Sequence, residues 1–133
     1  LGAAMATIVS SRCRGSSICP NPQELYTYGS PRVGWANYIN HHPFTHHRWV
    51  NNNDIVTRVP FWIMGYKHHG EEHYLNTWGN VRTSTGWQRF KDRMRGMWRG
   101  LKQGKIDNFS DHAIGLYVEY LKKYRDNIET PQI

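Results

Sequence analysis

Apolar and polar residues repeat with two different periods along this chain, and each change of period marks a new element. Residues 2–13 are apolar nearly all round, with Ala3, Ala4, Met5, Ala6, Ile8 and Val9 among them, which predicts a helix buried beneath a sheet. Residues 25–29 predict a short aromatic-rich strand, ended by the Gly29-Ser30-Pro31 turn that proline enforces on the residue before it. A short helix is expected over 33–39. Arg48-Trp49-Val50 predicts a second strand, and the polar run Asn51-Asn52-Asn53-Asp54 then turns the chain with Asp54 at the strand's carboxyl end. Ligands and catalytic groups of open α/β sheets gather at such ends. Residues 71–78 predict a third strand, with His73, Leu75 and Thr77 on one face and Tyr74, Asn76 and Trp78 on the other; this mixed polarity suggests an edge. In the last helix Ser110 is the N-cap, and Ile114, Tyr117, Val118, Leu121 and Tyr124 form the buried stripe, which puts His112 in the first turn.

A further helical pattern carries most of the charge. Trp87, Phe90, Met94, Met97, Trp98 and Leu101 recur at helical spacing, among seven basic residues between Arg89 and Lys105 and one acid, Asp92. The formal net charge of the whole chain is +7, so the remainder is nearly neutral. Such a helix either packs its apolar stripe on a core with a solvated basic back or lies on an anionic lipid surface. Gly96, Gly100 and Gly104 each cost about 1 kcal/mol of helix propensity, and their spacing suggests close approach by another backbone or a fraying helix. Basic charge with Trp87 and Trp98 also fits nucleic-acid binding, although no recognised nucleic-acid motif accompanies it.

At 133 residues, 38% hydrophobic, with six Trp and eight Tyr, the chain has material for one globular domain over 1–125, followed by a polar tail over 126–133. No apolar run is long enough to span a membrane. Cys13 and Cys19 flank a loop-like Arg14-Gly15-Ser16-Ser17-Ile18 and form either a small disulfide loop or two reduced thiols, the second being preferred. Of the eight histidines, His41, His42, His46 and His47 with His68, His69 or His73 invite a metal reading, but there is no H-E-x-x-H and no thiolate cluster.

The catalytic chemistry is carried by motifs. Leu1-Gly2-Ala3-Ala4-Met5-Ala6 reads as the second half of a nucleophile elbow, G-x-S-x-G, beginning immediately after its serine. Tyr26-Thr27-Tyr28-Gly29-Ser30-Pro31-Arg32-Val33-Gly34 comes next, then Val50-Asn51-Asn52-Asn53-Asp54-Ile55-Val56-Thr57-Arg58-Val59-Pro60, and finally Ser110-Asp111-His112. A fourth block, Gly65-Tyr66-Lys67-His68-His69-Gly70-Glu71-Glu72, lies between the acid and the histidine. From Leu1 to about Tyr124 these blocks resemble the class 3 (fungal-type) triacylglycerol lipases. Thr57 departs from that pattern, standing where the family usually has proline after Asp-Ile-Val.

The resemblance implies the C-terminal part of an α/β-hydrolase fold, a mostly parallel sheet flanked by helices, with the N-terminal half of the domain missing from this sequence. It implies hydrolysis of carboxylic esters, above all acylglycerols, through an acyl-serine and without a cofactor. The order nucleophile, acid, histidine assigns the acid to Asp54 and the base to His112, with the Leu1 backbone N–H in the oxyanion hole. Asp111 competes as the acid but is better explained as a first-turn carboxylate favoured by the helix dipole. His68 competes as the base but matches a structural position of the family. The bland alternative for Asp54 is a turn cap. With the serine and its neighbouring strands upstream, the chain alone is expected to be inactive and prone to association. The alternative function is a non-catalytic lipase-like scaffold that binds lipid through Trp87, Phe90, Arg93, Met94, Met97, Trp98 and Leu101. Localisation, acyl-chain length and head group stay open.

Overall fold

The computed structural model describes residues 1–41, 44–51, 54–76, 81–82 and 112–129. Helix α1 spans Gly2–Cys13, strand β1 Glu24–Tyr28, β2 Gly34–Trp35, helix α2 Ala36–His41 and β3 Thr45–Asn51. Single 3-10 turns at Val56–Arg58 and Trp62–Met64 precede β4 (Tyr66–Lys67), β5 (Glu71–Leu75) and β6 (Val81–Arg82), and helix α3 runs over Ile114–Glu129. The strands of the larger sheet are ordered β1-β3-β5-β6, and β2 and β4 form a separate ribbon. The chain divides into two compact units, Leu1–Trp49 with Val56–Glu72, and Val50–Ile55 with His73–Ile133.

In the first unit β1 and β3 run parallel, pairing Glu24 with Thr45 through Tyr28 with Trp49, and the Gly29 N–H extends the ladder to the Trp49 carbonyl. Parallel neighbours need a crossover, here supplied by β2 and α2. Gly29 then takes a left-handed φ of 62° that opens the turn before Pro31. The antiparallel β2–β4 ribbon pairs Gly34 with Lys67 and Trp35 with Tyr66. The expected helix over 33–39 thus begins as a strand and becomes helical only at Ala36, because Gly34 and Trp35 are drawn into this ribbon.

Helix α1 keeps its expected limits but not its expected burial. Its buried residues are Thr7 and Ser11, while Met5 and Val9 are exposed. The inward stripe tolerates hydroxyls because each is bonded: Thr7 to the Ala3 carbonyl, Ser11 to the Ile8 carbonyl and to the Tyr38 hydroxyl. After Cys13 the chain turns through Gly15, at φ 73°, which brings the Cα atoms of Cys13 and Cys19 to 5.3 Å, and the two cysteines form a disulfide. The preference for reduced thiols was therefore wrong. Spacing could not reveal that the loop closes on itself at a distance a disulfide accepts.

The second unit holds the buried apolar side chains Val50, Tyr74, Leu75 and Tyr117. Strand β5 was expected at an edge but has neighbours on both sides in the sheet order. Tyr74, Leu75 and the following Asn76 are all buried, so both faces are covered, and polarity alone misled because a bonded polar residue can occupy a covered face. Thr77 and Trp78 lie outside the described residues. β5 pairs with β6 antiparallel through Tyr74 with Arg82 and Leu75 with Val81.

On α3 the less exposed face comprises Leu116, Tyr117, Tyr120, Leu121 and Tyr124, whereas Ile114 and Val118 are exposed. The helix is rotated from the expected stripe, and the residue that anchors this orientation is Tyr117, whose polar tip needs buried partners. No described helix is long and apolar enough to cross a membrane. Ser110, Asp111 and the basic segment at 89–105 lie outside the described residues, as do residues 130–133 of the polar tail.

Candidate active site

Asp54 follows the end of β3 and is fully buried, at 0% side-chain exposure. Its backbone N–H bonds the Asn51 carbonyl at 2.8 Å, which ties the carboxylate's position to the end of β3. A buried carboxylate is costly unless it is bonded. Asp54 Oδ2 meets His112 Nδ1 at 2.9 Å and the Tyr117 hydroxyl, which donates at 2.7 Å. All three residues belong to the second unit.

His112 lies just before α3, which begins at Ile114, and not within the helix's first turn as the sequence suggested. Its side chain is 39% exposed, against none for its carboxylate partner. With Nδ1 donating to Asp54, the neutral ring carries its lone pair on Nε2, where it can accept a proton. The pair thus has a buried acid that orients an accessible base.

Tyr117 was read from the sequence as a stripe residue and missed as part of the site. Its hydroxyl accepts the Asn51 backbone N–H at 2.9 Å while donating to Asp54, so one phenol ties the end of β3, the acid and α3 together. The signal available beforehand was modest: a tyrosine predicted to be buried must find partners for its hydroxyl.

Leu1 sits at the start of α1, in the first unit, and its carbonyl accepts the Met5 N–H. His68, the competing base, also lies in the first unit and is engaged with the Thr57 backbone. Burial, with the Arg48 and Arg32 charges adding to it, lowers the His68 pKa to about 3. Asp111 lies outside the described residues, as do Trp87, Phe90, Arg93, Met94, Met97, Trp98 and Leu101.

The first unit contains a second imidazole arrangement. His46 Nδ1 meets His69 Nδ1 at 3.1 Å, His46 Nε2 meets the Thr27 hydroxyl at 2.8 Å, and Phe44 stacks on both rings. Burial, followed by the His69, Arg48 and His47 charges, lowers the His46 pKa to about 4. The Arg48–Glu72 ion pair, at 2.9 Å, lies on the same unit.

The sequence pattern of the family described as Lipase (class 3) matches residues 1–64. The chain is 37% identical over 79 residues to secreted mono- and diacylglycerol lipase 1 of Fusarium solani, covering 57% of this chain and 23% of that protein. It is 30% identical over 131 residues to toxin TseL of Vibrio cholerae, covering 96% of this chain and 18% of the toxin. The solved structure of a mutant MDLA from Penicillium cyclopium superposes with a TM-score of 0.56 at 28% identity, over 84% of this chain and 42% of that one. The chain thus spans less than a quarter of the length of either of these curated relatives, and its fold is of the α/β-hydrolase type.

Proposed function

We propose that this chain, whose residues 1–64 match the pattern of the class 3 lipase family, supplies the acid and base of a serine ester hydrolase acting on acylglycerols. The observation that carries the reading is the Asp54–His112 pair, at 2.9 Å, with the acid buried and the base open. In this reading Asp54 accepts the Nδ1–H of His112 and stabilises the imidazolium formed when Nε2 takes the proton of the nucleophile. His112 then returns that proton to the leaving alcohol, and the acyl-serine is hydrolysed by water activated at the same Nε2. The nucleophile required is a serine immediately before Leu1, as the elbow-like start implies, and the Leu1 N–H assists the oxyanion. The acylglycerol assignment draws on the resemblance to the Fusarium mono- and diacylglycerol lipase. No resident cofactor takes part.

The test is made on the complete protein. Asp54→Asn lowers kcat on a short-chain acylglycerol by about four orders of magnitude, as for other triad acids. A loss below about tenfold, or a residue other than serine before Leu1, would remove the catalytic reading.

A further inference from the structure

Adjacent histidines on a strand cannot serve one site, because successive side chains point to opposite faces. On β3 His46 and Arg48 are buried, and His46 is bonded to Thr27 and His69. His47, between them, takes the other face and is half-buried. Strand β5 is continuous from Glu71 to Leu75, so Glu71 and His73, two residues apart, share a face. Glu72, between them, turns instead to the buried Arg48 at 2.9 Å. Strands β3 and β5 are neighbours in the sheet.

Among the described residues, His47, Glu71 and His73 each bring one ligand atom to within 4.8 Å of the other two. Ligand atoms about 2.0–2.1 Å from a tetrahedral ion stand roughly 3.4 Å apart. Glu71, the exposed member, has the rotatable bonds to close that gap. Backbone movement is not required.

One imidazole of the three is already held. Tyr26 faces His47 in the β1–β3 register, and the two rings stack with centroids 4.8 Å apart and planes 23° from parallel. The Tyr26 hydroxyl donates to Glu24 Oε2, so Glu24 and Tyr26 together fix the plane of the His47 ring. Groups standing behind metal ligands in this way orient them and sustain affinity. Glu24 and Glu71 also make the face locally acidic in a chain of net charge +7. A cation is drawn to it.

Donor chemistry chooses the ion. Two imidazole nitrogens and one carboxylate are a set that holds zinc, whereas calcium and magnesium take oxygen. We propose that His47, Glu71 and His73 form a zinc(II) site that clips β3 to β5, its fourth position taken by water. The site shares no residue with the Asp54–His112 pair and does not rest on the ester-hydrolase reading. Zinc is held, not used in turnover.

The untagged chain, cleared of metal by a chelator, is titrated calorimetrically with zinc chloride. The expected result is one tight equivalent. His47→Ala and His73→Ala each lower its affinity by about a hundredfold or more, and Tyr26→Ala, which removes only a group behind a ligand, by about tenfold. Glu71→Gln keeps the size of an exposed side chain and hence the fold, and it loses at least about tenfold. Zinc also raises the thermal unfolding midpoint of the parent, and that of Glu71→Gln by less. Absence of saturable zinc binding overturns the proposal. So does equal zinc affinity in the parent, His73→Ala and Glu71→Gln, since other histidines would then hold the ion. Calcium chloride that displaces the zinc as readily would overturn the assignment to nitrogen donors.

Discussion

Replacing Tyr117 with phenylalanine removes a single oxygen and breaks two bonds at once. The hydroxyl that donates to Asp54 Oδ2 at 2.7 Å is lost, and the Asn51 N–H that it satisfied at 2.9 Å is left without that acceptor. A hydrogen bond to a charged group contributes about 1.5–3 kcal/mol, and orphaning a buried N–H costs about 1–3 kcal/mol. The two share one oxygen and partly relax together, so the expected destabilisation is about 3 kcal/mol, toward the lower end of that combined range. Urea unfolding of the chain measures it: with a slope of about 2 kcal/mol/M the midpoint falls by roughly 1.5 M. Val118→Ala, on the exposed side of the same helix, is the control and changes stability by no more than about 0.5 kcal/mol. A double-mutant cycle with Asp54→Asn isolates the Tyr117–Asp54 contact, whose coupling should be about 1 kcal/mol or more. Identical losses in both backgrounds, or a Tyr117→Phe loss below about 0.5 kcal/mol, would refute the claim that the phenol anchors the buried acid.

Three other outcomes follow from particular contacts. A Cβ on Gly70, already at φ 80°, would lie 2.6 Å from His46 Cβ and closer still to the His46 carbonyl oxygen, so Gly70→Ala should cost more in urea unfolding than Gly65→Ala, which meets the same backbone strain in open space. Cys13→Ser with Cys19→Ser opens a short loop and should lower stability by about 2 kcal/mol, read as the shift between oxidised parent and variant. His46 and His68 hold pKa values of about 4 and about 3 against an ordinary 6.5, so between those limits the unfolded chain binds more protons than the folded one. Stability is therefore full above about pH 6.5 and falls as the pH drops toward 4 and then 3; a urea midpoint at pH 5 equal to that at pH 7.5 would contradict the burial of these rings.

Asp54 and His112 stand out in the sequence as candidate acid and base through the family motifs around them, and the structure brings the two side chains to 2.9 Å. The limits of α1 were local, since a twelve-residue run apolar nearly all round and ended by a loop needs no distant information. Which face each element buries was not local. Thr7 and Ser11 point inward and Ile114 and Val118 outward because hydroxyl groups found carbonyls, a phenol and a carboxylate to bond, and a hydrophobicity pattern scores those partners as absent. The covered position of β5 depends on which strands pair, and the disulfide on how a six-residue excursion closes. Residue order and motif likeness were enough to nominate the groups that could do the chemistry. Only the tertiary structure decided that Tyr117 holds the acid and that His47 meets Glu71 and His73, because both depend on atoms brought together from distant parts of the chain.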